Sequence, residues 1–220
     1  MATRIAADAG SDTAPGLFIT FEGGEGVGKS TQVALLAEYL ATSGRAVTVT
    51  REPGGTATAE TLRGLLLDPA HDLDAMEQVL LLNAARHNHV RKVIAPALAD
   101  GGVVICDRFL DSTRAYQGAA GGIDARAITD LHELVFGDLM PDLTLILDAP
   151  IETGLRRAAD RAAATDRFEM ADRHFHERLR QGFLAIAAAD PERCHVLSAE
   201  GAVTDIAAAI AALVASRLRS

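Results

Sequence analysis

Lysine is nearly absent from this 220-residue chain: of its 21 basic residues only Lys29 and Lys92 are lysines, the rest arginines. Cysteine is as sparse. Cys106 and Cys194 lie far apart, in no C-x-x-C and in no metal-ligand spacing, which excludes a disulfide framework and a cysteine-built metal site. Their scarcity points to a reducing compartment, and Cys106, inside an apolar run, reads as core. Long apolar runs are missing too. The longest near the C-terminus, Ile206 to Ala215, is too short to span a bilayer. Met1 to Pro15 has no apolar signal-peptide segment and contains Asp8 and Asp12, so it reads as a disordered leader. Positive charge is in deficit, with a net charge of −9, which argues against a general nucleic-acid surface but leaves room for a small anion in a local basic pocket. The expectation is a cytoplasmic protein with neither a nucleic-acid nor a membrane partner. Hydrophobic residues make up 49% and charged residues 23%, ordinary for one globular domain, here residues 16–220 after the leader at 1–15.

One of the two lysines sits inside a pattern. Leu17-Phe18-Ile19-Thr20-Phe21 reads as a buried strand, Thr31 to Tyr39 and Leu40 as a helix, and between them runs Gly23-Gly24-Glu25-Gly26-Val27-Gly28-Lys29-Ser30. This is G-x-x-x-x-G-K-S in the strand–loop–helix context of a P-loop. Glycines let backbone N–H groups close around phosphate oxygens, and the helix N-terminus adds partial positive charge there. Lys29 reaches the outer phosphates and the Ser30 hydroxyl ligates Mg²⁺. The plainer alternative is a glycine-rich turn. Four glycines in one short turn are entropically costly, and a lysine at the required position in so arginine-rich a chain argues for phosphate binding.

The remaining elements alternate. Ala46 to Thr50 reads as a β-branched strand ending in Arg51-Glu52-Pro53-Gly54-Gly55-Thr56, where Arg51 is an expected anion contact. Helical patterns follow over Thr58 to Leu67 and Asp74 to Asp100, the second with an expected kink at Pro96. His87 and His89, and later His174 and His176, are spaced i, i+2, which is poor for a metal pair and predicts surface positions. Val103-Val104-Ile105-Cys106-Asp107 and Leu143 to Asp148 read as buried parallel strands that each deliver a carboxylate to a C-terminal edge. Asp148, before Ala149-Pro150 and a helix, reads as a cap. Asp107, followed by Arg108, better suits a metal-and-phosphate edge. Asp111 to Gln117 reads as a short polar segment. Helices are expected over Asp124 to Phe136, Ile151 to Asp160, Asp172 to Asp190 and Val203 to Leu218, with a last strand at Cys194 to Ser198. The fold class is α/β: one domain with a parallel sheet and helices on both faces.

The motifs that carry a resemblance are Phe21-Glu22-Gly23 to Thr31, Thr50 to Thr56, Ala84-Ala85-Arg86, Asp107-Arg108-Phe109, Ser112 to Gly118, Pro141 to Asp148 and Asp166 to Glu169. At these separations, from about Leu17 to the last helix, the chain resembles the bacterial thymidylate kinases. The resemblance implies transfer of the ATP γ-phosphoryl group to dTMP with Mg²⁺, in a cytoplasmic homodimer with a P-loop nucleotide kinase architecture. It implies that Lys29 and the loop Gly23, Gly24, Glu25, Gly26, Val27, Gly28, Ser30, Thr31 bind ATP, and that Ser30 and Asp107 serve Mg²⁺. Arg51, Arg86 and Arg108 surround the acceptor, with Pro53 beside them. Glu25 approaches its 3′-hydroxyl, Tyr116 closes off the 2′ position, and Ser112, Thr113 and Gln117 line the base pocket. A short lid at about 157–168 supplies a catalytic arginine, with Arg161 the first candidate and Arg157 the second. One departure stands out: where the family usually stacks an aromatic on thymine, this chain has Leu82. Alternatives are a kinase for another monophosphate such as dUMP, or a non-catalytic nucleotide-binding module. A GTP switch is disfavoured, because neither lysine is preceded by the Asn of N-K-x-D.

Overall fold

The computed structural model describes residues 15–42, 44–160, 168 and 170–218. The leader before residue 15, and the segment 161–167 that carries Arg161, lie outside the described residues. Five strands form one all-parallel sheet in the order β2-β3-β1-β4-β5. They are β1 (Leu17–Glu22), β2 (Val47–Arg51), β3 (Val103–Asp107), β4 (Leu143–Asp148) and β5 (Cys194–Ser198). The three central strands are the three apolar runs, as expected where helices cover both faces.

Alternation along β1 sorts its side chains. Leu17, Ile19 and Phe21 enter a core shared with Val33, Leu36 and Leu40 of α1 (Lys29–Leu40) and with Ile210 and Val214 of α9 (Val203–Leu218). Phe18 enters a second core with Phe109 and Leu110. Thr20 and Glu22, alternating with that first set, are fully buried polar residues, and Thr20 Oγ1 lies 2.9 Å from Thr144 Oγ1. Thus α1 leaves β1 towards one face, whereas α5 (Leu110–Thr113) leaves the neighbouring β3 towards the other. Adjacent strands whose helices depart in opposite directions open a crevice at their carboxyl ends, the ligand position of open α/β sheets.

The remaining helices are α2 (Ala57–Leu67), α3 (Ala75–His89), α4 (Ala95–Ala99), α6 (Ala125–Phe136), α7 (Ile151–Ala159) and α8 (Arg173–Ala189). A capping box of Asp74 and Glu77 starts α3. The expected kink at Pro96 takes the form of a π-helical turn, Val90–Ile94, joining α3 to α4, with Ala95 N donating to Val90 O. The widened turn accommodates a ring that has no N–H to offer. The segment read as short and polar is in fact helical: α5 continues into a second π turn, Arg114–Ala120, whose Ala115, Tyr116, Gln117 and Gly118 are buried. Asp124 and Asp172 are the N-caps of α6 and α8, the helices expected to begin there. Cys106 and Cys194 are buried free thiols, and among the described residues no helix is long and apolar enough to cross a membrane.

Candidate functional site

The loop after β1 is held in conformations only glycine adopts freely. Gly23 and Gly26 have φ of 126° and 66°, and a Cβ on them would lie 2.3 Å from Leu147 O and 1.9 Å from Gly154 O. Gly28, at φ 93°, is the N-cap of α1, whose first turn carries no acidic residue, so its positive end stays uncompensated. Ser30 and Thr31 are exposed there. Lys29 is buried and folds back over the loop, its Nζ donating to Gly24 O at 2.8 Å and Gly23 O at 3.1 Å. Burial, and then the Arg108 charge, lower its pKa to about 8. An anion entering the loop replaces weak carbonyl partners with a full counter-charge.

At the end of β3 the backbone turns sharply: Arg108 has φ 74°, unusual for a residue with a side chain. Its N–H donates to Phe21 O, which fixes the turn against β1. Its guanidinium then reaches back across the loop. Nη1 donates to Gly23 O (3.0 Å) and Ser112 Oγ (3.2 Å), and Nη2 to Glu25 Oε1 (2.9 Å). The Tyr116 hydroxyl donates to the same Glu25 oxygen, and the Arg108 guanidinium lies over the Tyr116 ring, 4.9 Å from its centroid. Asp107, one residue earlier, has a buried Oδ1 without a hydrogen-bond partner. Among the described residues no three His, Cys, Asp or Glu side chains cluster as a metal site. An orphaned carboxylate oxygen and an exposed serine hydroxyl fit a hard cation that arrives on phosphate oxygens.

Next to Arg108 opens a cleft of about 590 Å³. Of the residues predicted to hold the acceptor, Glu25, Pro53, Leu82, Arg86, Arg108, Ser112, Thr113, Tyr116 and Gln117 line it, joined by Glu52, Arg63, Leu66, Leu67, Phe109 and Phe168. Arg51 does not line it. Its guanidinium is half-exposed and paired with Glu60 at 3.1 Å, because the Gly54-Gly55 turn lets the first turn of α2 reach back to it. Arg86 is buried and held from three sides: Nε on Glu52 Oε2 at 2.6 Å, Nη2 on Thr113 Oγ1 at 2.9 Å and on Phe109 O at 3.2 Å. Its Nη1 has no partner among the described residues. Gln117 Nε2 donates to Gln78 Oε1, leaving Gln117 Oε1 buried without a partner.

Several residues of consequence were not legible as such. Glu52 carries a buried chain: His89 Nδ1 lies 3.0 Å from its Oε1, and His89 Nε2 lies 2.6 Å from Thr50 Oγ1. His89 is therefore core, not surface, because it backs the Glu52–Arg86 pair. His176 is likewise buried, with Nε2 unpartnered and its pKa lowered chiefly by burial, whereas His87 and His174 are exposed as expected. Asp148 is not a cap. Both its oxygens accept from Arg180 of α8 at 2.7 Å, and Pro150 occupies the N-cap of α7. Arg157 Nη1 donates to Ala199 O at 3.1 Å, on the loop between β5 and α9. Glu22 accepts from Phe109 N and Ser112 Oγ at 2.8 and 2.5 Å. The one signal for Glu22 and Glu52 in the sequence is a charge beside a strand end.

The family model described as thymidylate kinase matches residues 21–210. A thymidylate kinase of Caulobacter vibrioides is 52% identical over 204 residues, covering 92% of this chain and 98% of its own. One of a Synechococcus species is also 52% identical over 204 residues, covering 92% and 96%. The crystal structure of thymidylate kinase from Ehrlichia chaffeensis superposes with a TM-score of 0.73 at 39% identity, covering 91% of this chain and 99% of that one.

Proposed function

The chain belongs to the thymidylate kinase family, and we propose that it transfers the γ-phosphoryl group of ATP to dTMP, giving ADP and dTDP. The observation that carries this reading is one carbonyl. Gly23 O accepts from Lys29 Nζ, the cation of the triphosphate loop, and from Arg108 Nη1, a cation of the acceptor cleft. Two anion sites therefore abut at one atom, which is what an in-line transfer between two phosphates requires.

The acceptor is itself an anionic nucleophile, so the site needs charge neutralisation and orientation more than a strong base. Lys29 and the loop amides hold the triphosphate. Arg108, braced by Glu25 and Ser112, faces the transferring group from the acceptor side. Arg86, with only Nη1 unspent, lines the cleft and holds the acceptor there. Tyr116 packs its ring under Arg108 and donates a hydroxyl hydrogen bond to Glu25, which leaves little room beside the sugar's 2′ carbon and favours a deoxyribose. Ser30 and Asp107 would hold Mg²⁺ on the ATP phosphates, and the ion would supply neutralisation of their developing charge. Arg157 is drawn to Ala199 O, so the lid arginine of this reading is Arg161.

A homodimer is supported by exposed apolar side chains on three helices. Leu65 lies on α2, Met76 and Leu80 on α3, and Leu134, 82% exposed, on α6, and α3 packs against both of the other helices. The net charge and the absence of a membrane-length helix among the described residues fit a cytoplasmic enzyme without nucleic-acid partners. The test is ADP release from ATP and Mg²⁺ with dTMP, against dUMP and other monophosphates. Turnover fastest with dTMP is expected. Faster turnover with another monophosphate changes the acceptor, and none with any would refute the reading.

A further inference from the structure

Glu22 closes β1, one residue before the phosphate loop, and its carboxylate is completely buried. Nothing in the phosphoryl-transfer scheme above uses it. Yet both its oxygens are spent across the crevice on the segment that follows β3: Oε1 accepts from Phe109 N at 2.8 Å and Oε2 from Ser112 Oγ at 2.5 Å. A buried carboxylate is an expensive group to keep for packing alone.

The direction of each bond along this path follows from chemistry. Phe109 N–H can only donate. Where Glu22 is ionised its carboxylate can only accept, so the single Ser112 proton then points at Glu22. Ser112 Oγ is then left as an acceptor for Arg108 Nη1 at 3.2 Å. Arg108 spends its other arm, Nη2, on Glu25, which the Tyr116 hydroxyl also holds. The chain therefore runs from Glu22 through Ser112 and Arg108 to Glu25, with no step that can be reversed while Glu22 is charged. The same Arg108 is pinned at its backbone, N–H to Phe21 O, and twisted to φ 74°. Strand β1 thus grips both ends of one arginine.

We propose that Glu22 is a positioning residue: acting through the Ser112 hydroxyl, it sets the rotamer of Arg108 against the acceptor phosphate and so ties acceptor binding to the strand that carries the phosphate loop. It touches neither nucleotide. Ser112, read from the sequence as a base-pocket residue, spends its proton on this link. The inference rests on the acceptor reading of the cleft, so its test uses whichever nucleoside monophosphate the wild type binds and phosphorylates best.

The experiment compares the full-length wild type with Glu22→Gln, Ser112→Ala and the double variant. Read-outs are calorimetric Kd for the monophosphate, KM for both substrates, kcat and Tm. Glutamine keeps the volume and one acceptor but offers Ser112 an N–H, so the serine oxygen is contested. The expected result is about tenfold weaker monophosphate binding and a matching loss of kcat/KM for it, roughly the worth of one charged hydrogen bond. KM for ATP stays within twofold, and the double variant is no worse than the poorer single. A purely structural role would weaken both substrates alike and give multiplicative losses; either pattern overturns the proposal. If Glu22→Gln does not fold, Ser112→Thr and Ser112→Ala carry the test. Threonine keeps the hydroxyl and retains monophosphate affinity, and alanine loses it. Loss in both, or in neither, overturns the proposal. A wild type that binds the monophosphate but turns nothing over defeats the kinase reading and leaves the Kd comparison standing.

Discussion

Replacing Glu52 with glutamine tests the electrostatics of the acceptor cleft. Glu52 is buried between two groups that donate to it, Arg86 Nε at 2.6 Å and His89 Nδ1 at 3.0 Å. Arg86 is itself buried and among the described residues meets no other carboxylate: its remaining partners there are the Phe109 carbonyl and the Thr113 hydroxyl. In Glu52→Gln the shape is preserved, but one of the two donors must face the new amide N–H, and the guanidinium is left as an unpaired buried charge. Breaking a buried pair in this way costs about 3–5 kcal/mol, or roughly 10 °C in Tm for a domain of this size. Arg86→Met leaves the opposite charge stranded and is expected to cost a similar amount. The double variant leaves no buried charge, so its cost should fall well below the sum of the two. Urea unfolding of the four proteins at pH 7.5, with m-values compared to confirm a common transition, measures the cycle. A Glu52→Gln cost under about 1 kcal/mol, or additive single costs, would show that solvent screens the pair despite its burial.

Four other outcomes follow from the same geometry. Leu82→Phe, which places an aromatic face on the cleft wall, should lower KM for dTMP about fivefold, the worth of one aromatic contact; an unchanged or raised KM would remove Leu82 from the base-facing wall. Lys29 has a pKa of about 8 when it faces only carbonyls, and a bound triphosphate raises it. ATP binding at pH 8.5 should then take up protons, read by calorimetry in buffers of different ionisation enthalpy, and at pH 6.5 the lysine should contribute none. Glu22 is raised from 4.5 to about 7 by burial and then by Asp111, so the folded state holds its proton more tightly than the unfolded chain. Its contribution is fully present below pH 4.5 and is lost as pH rises to about 7. Wild-type stability should therefore fall against that of Glu22→Gln by about 3 kcal/mol across that window, and parallel pH profiles would contradict the burial. Finally, Leu80→Glu and Leu134→Glu should each shift the protein to half its apparent mass in light scattering, and an unchanged mass would place any dimer face elsewhere.

What could be read in the sequence was what is written in consecutive residues. The loop from Gly23 to Ser30, the apolar runs of β1, β3 and β4, and the strand-end Asp107 are local patterns whose period or composition reports burial directly. The helix boundaries at Asp74, Asp124 and Asp172 were legible for the same reason, since a cap acts within one turn. Side chains whose meaning lies in a distant partner were not. His89 looks like a surface residue beside His87, and its environment is set by Thr50 and Glu52, which arrive from another strand end. Asp148 looks like a cap because its neighbours in sequence are Ala149 and Pro150; its actual partner, Arg180, lies 32 residues on. Asp111 shows the same limit inside the core, where Arg193, 82 residues away, closes on it at 2.6 Å and takes up a charge that the sequence leaves unexplained. The pairing of Arg51 is the opposite case. Its partner Glu60 is only nine residues away, but the two glycines between them fold that distance back on itself, which no periodicity encodes. The common cause is that a charge buried at a strand end has to be neutralised, and an open parallel sheet brings its neutralising groups from whichever crossover lands beside it. The phosphate loop escapes this rule because it recruits backbone amides from its own residues, and that is why it alone of the site's parts declares its chemistry in a single stretch of chain.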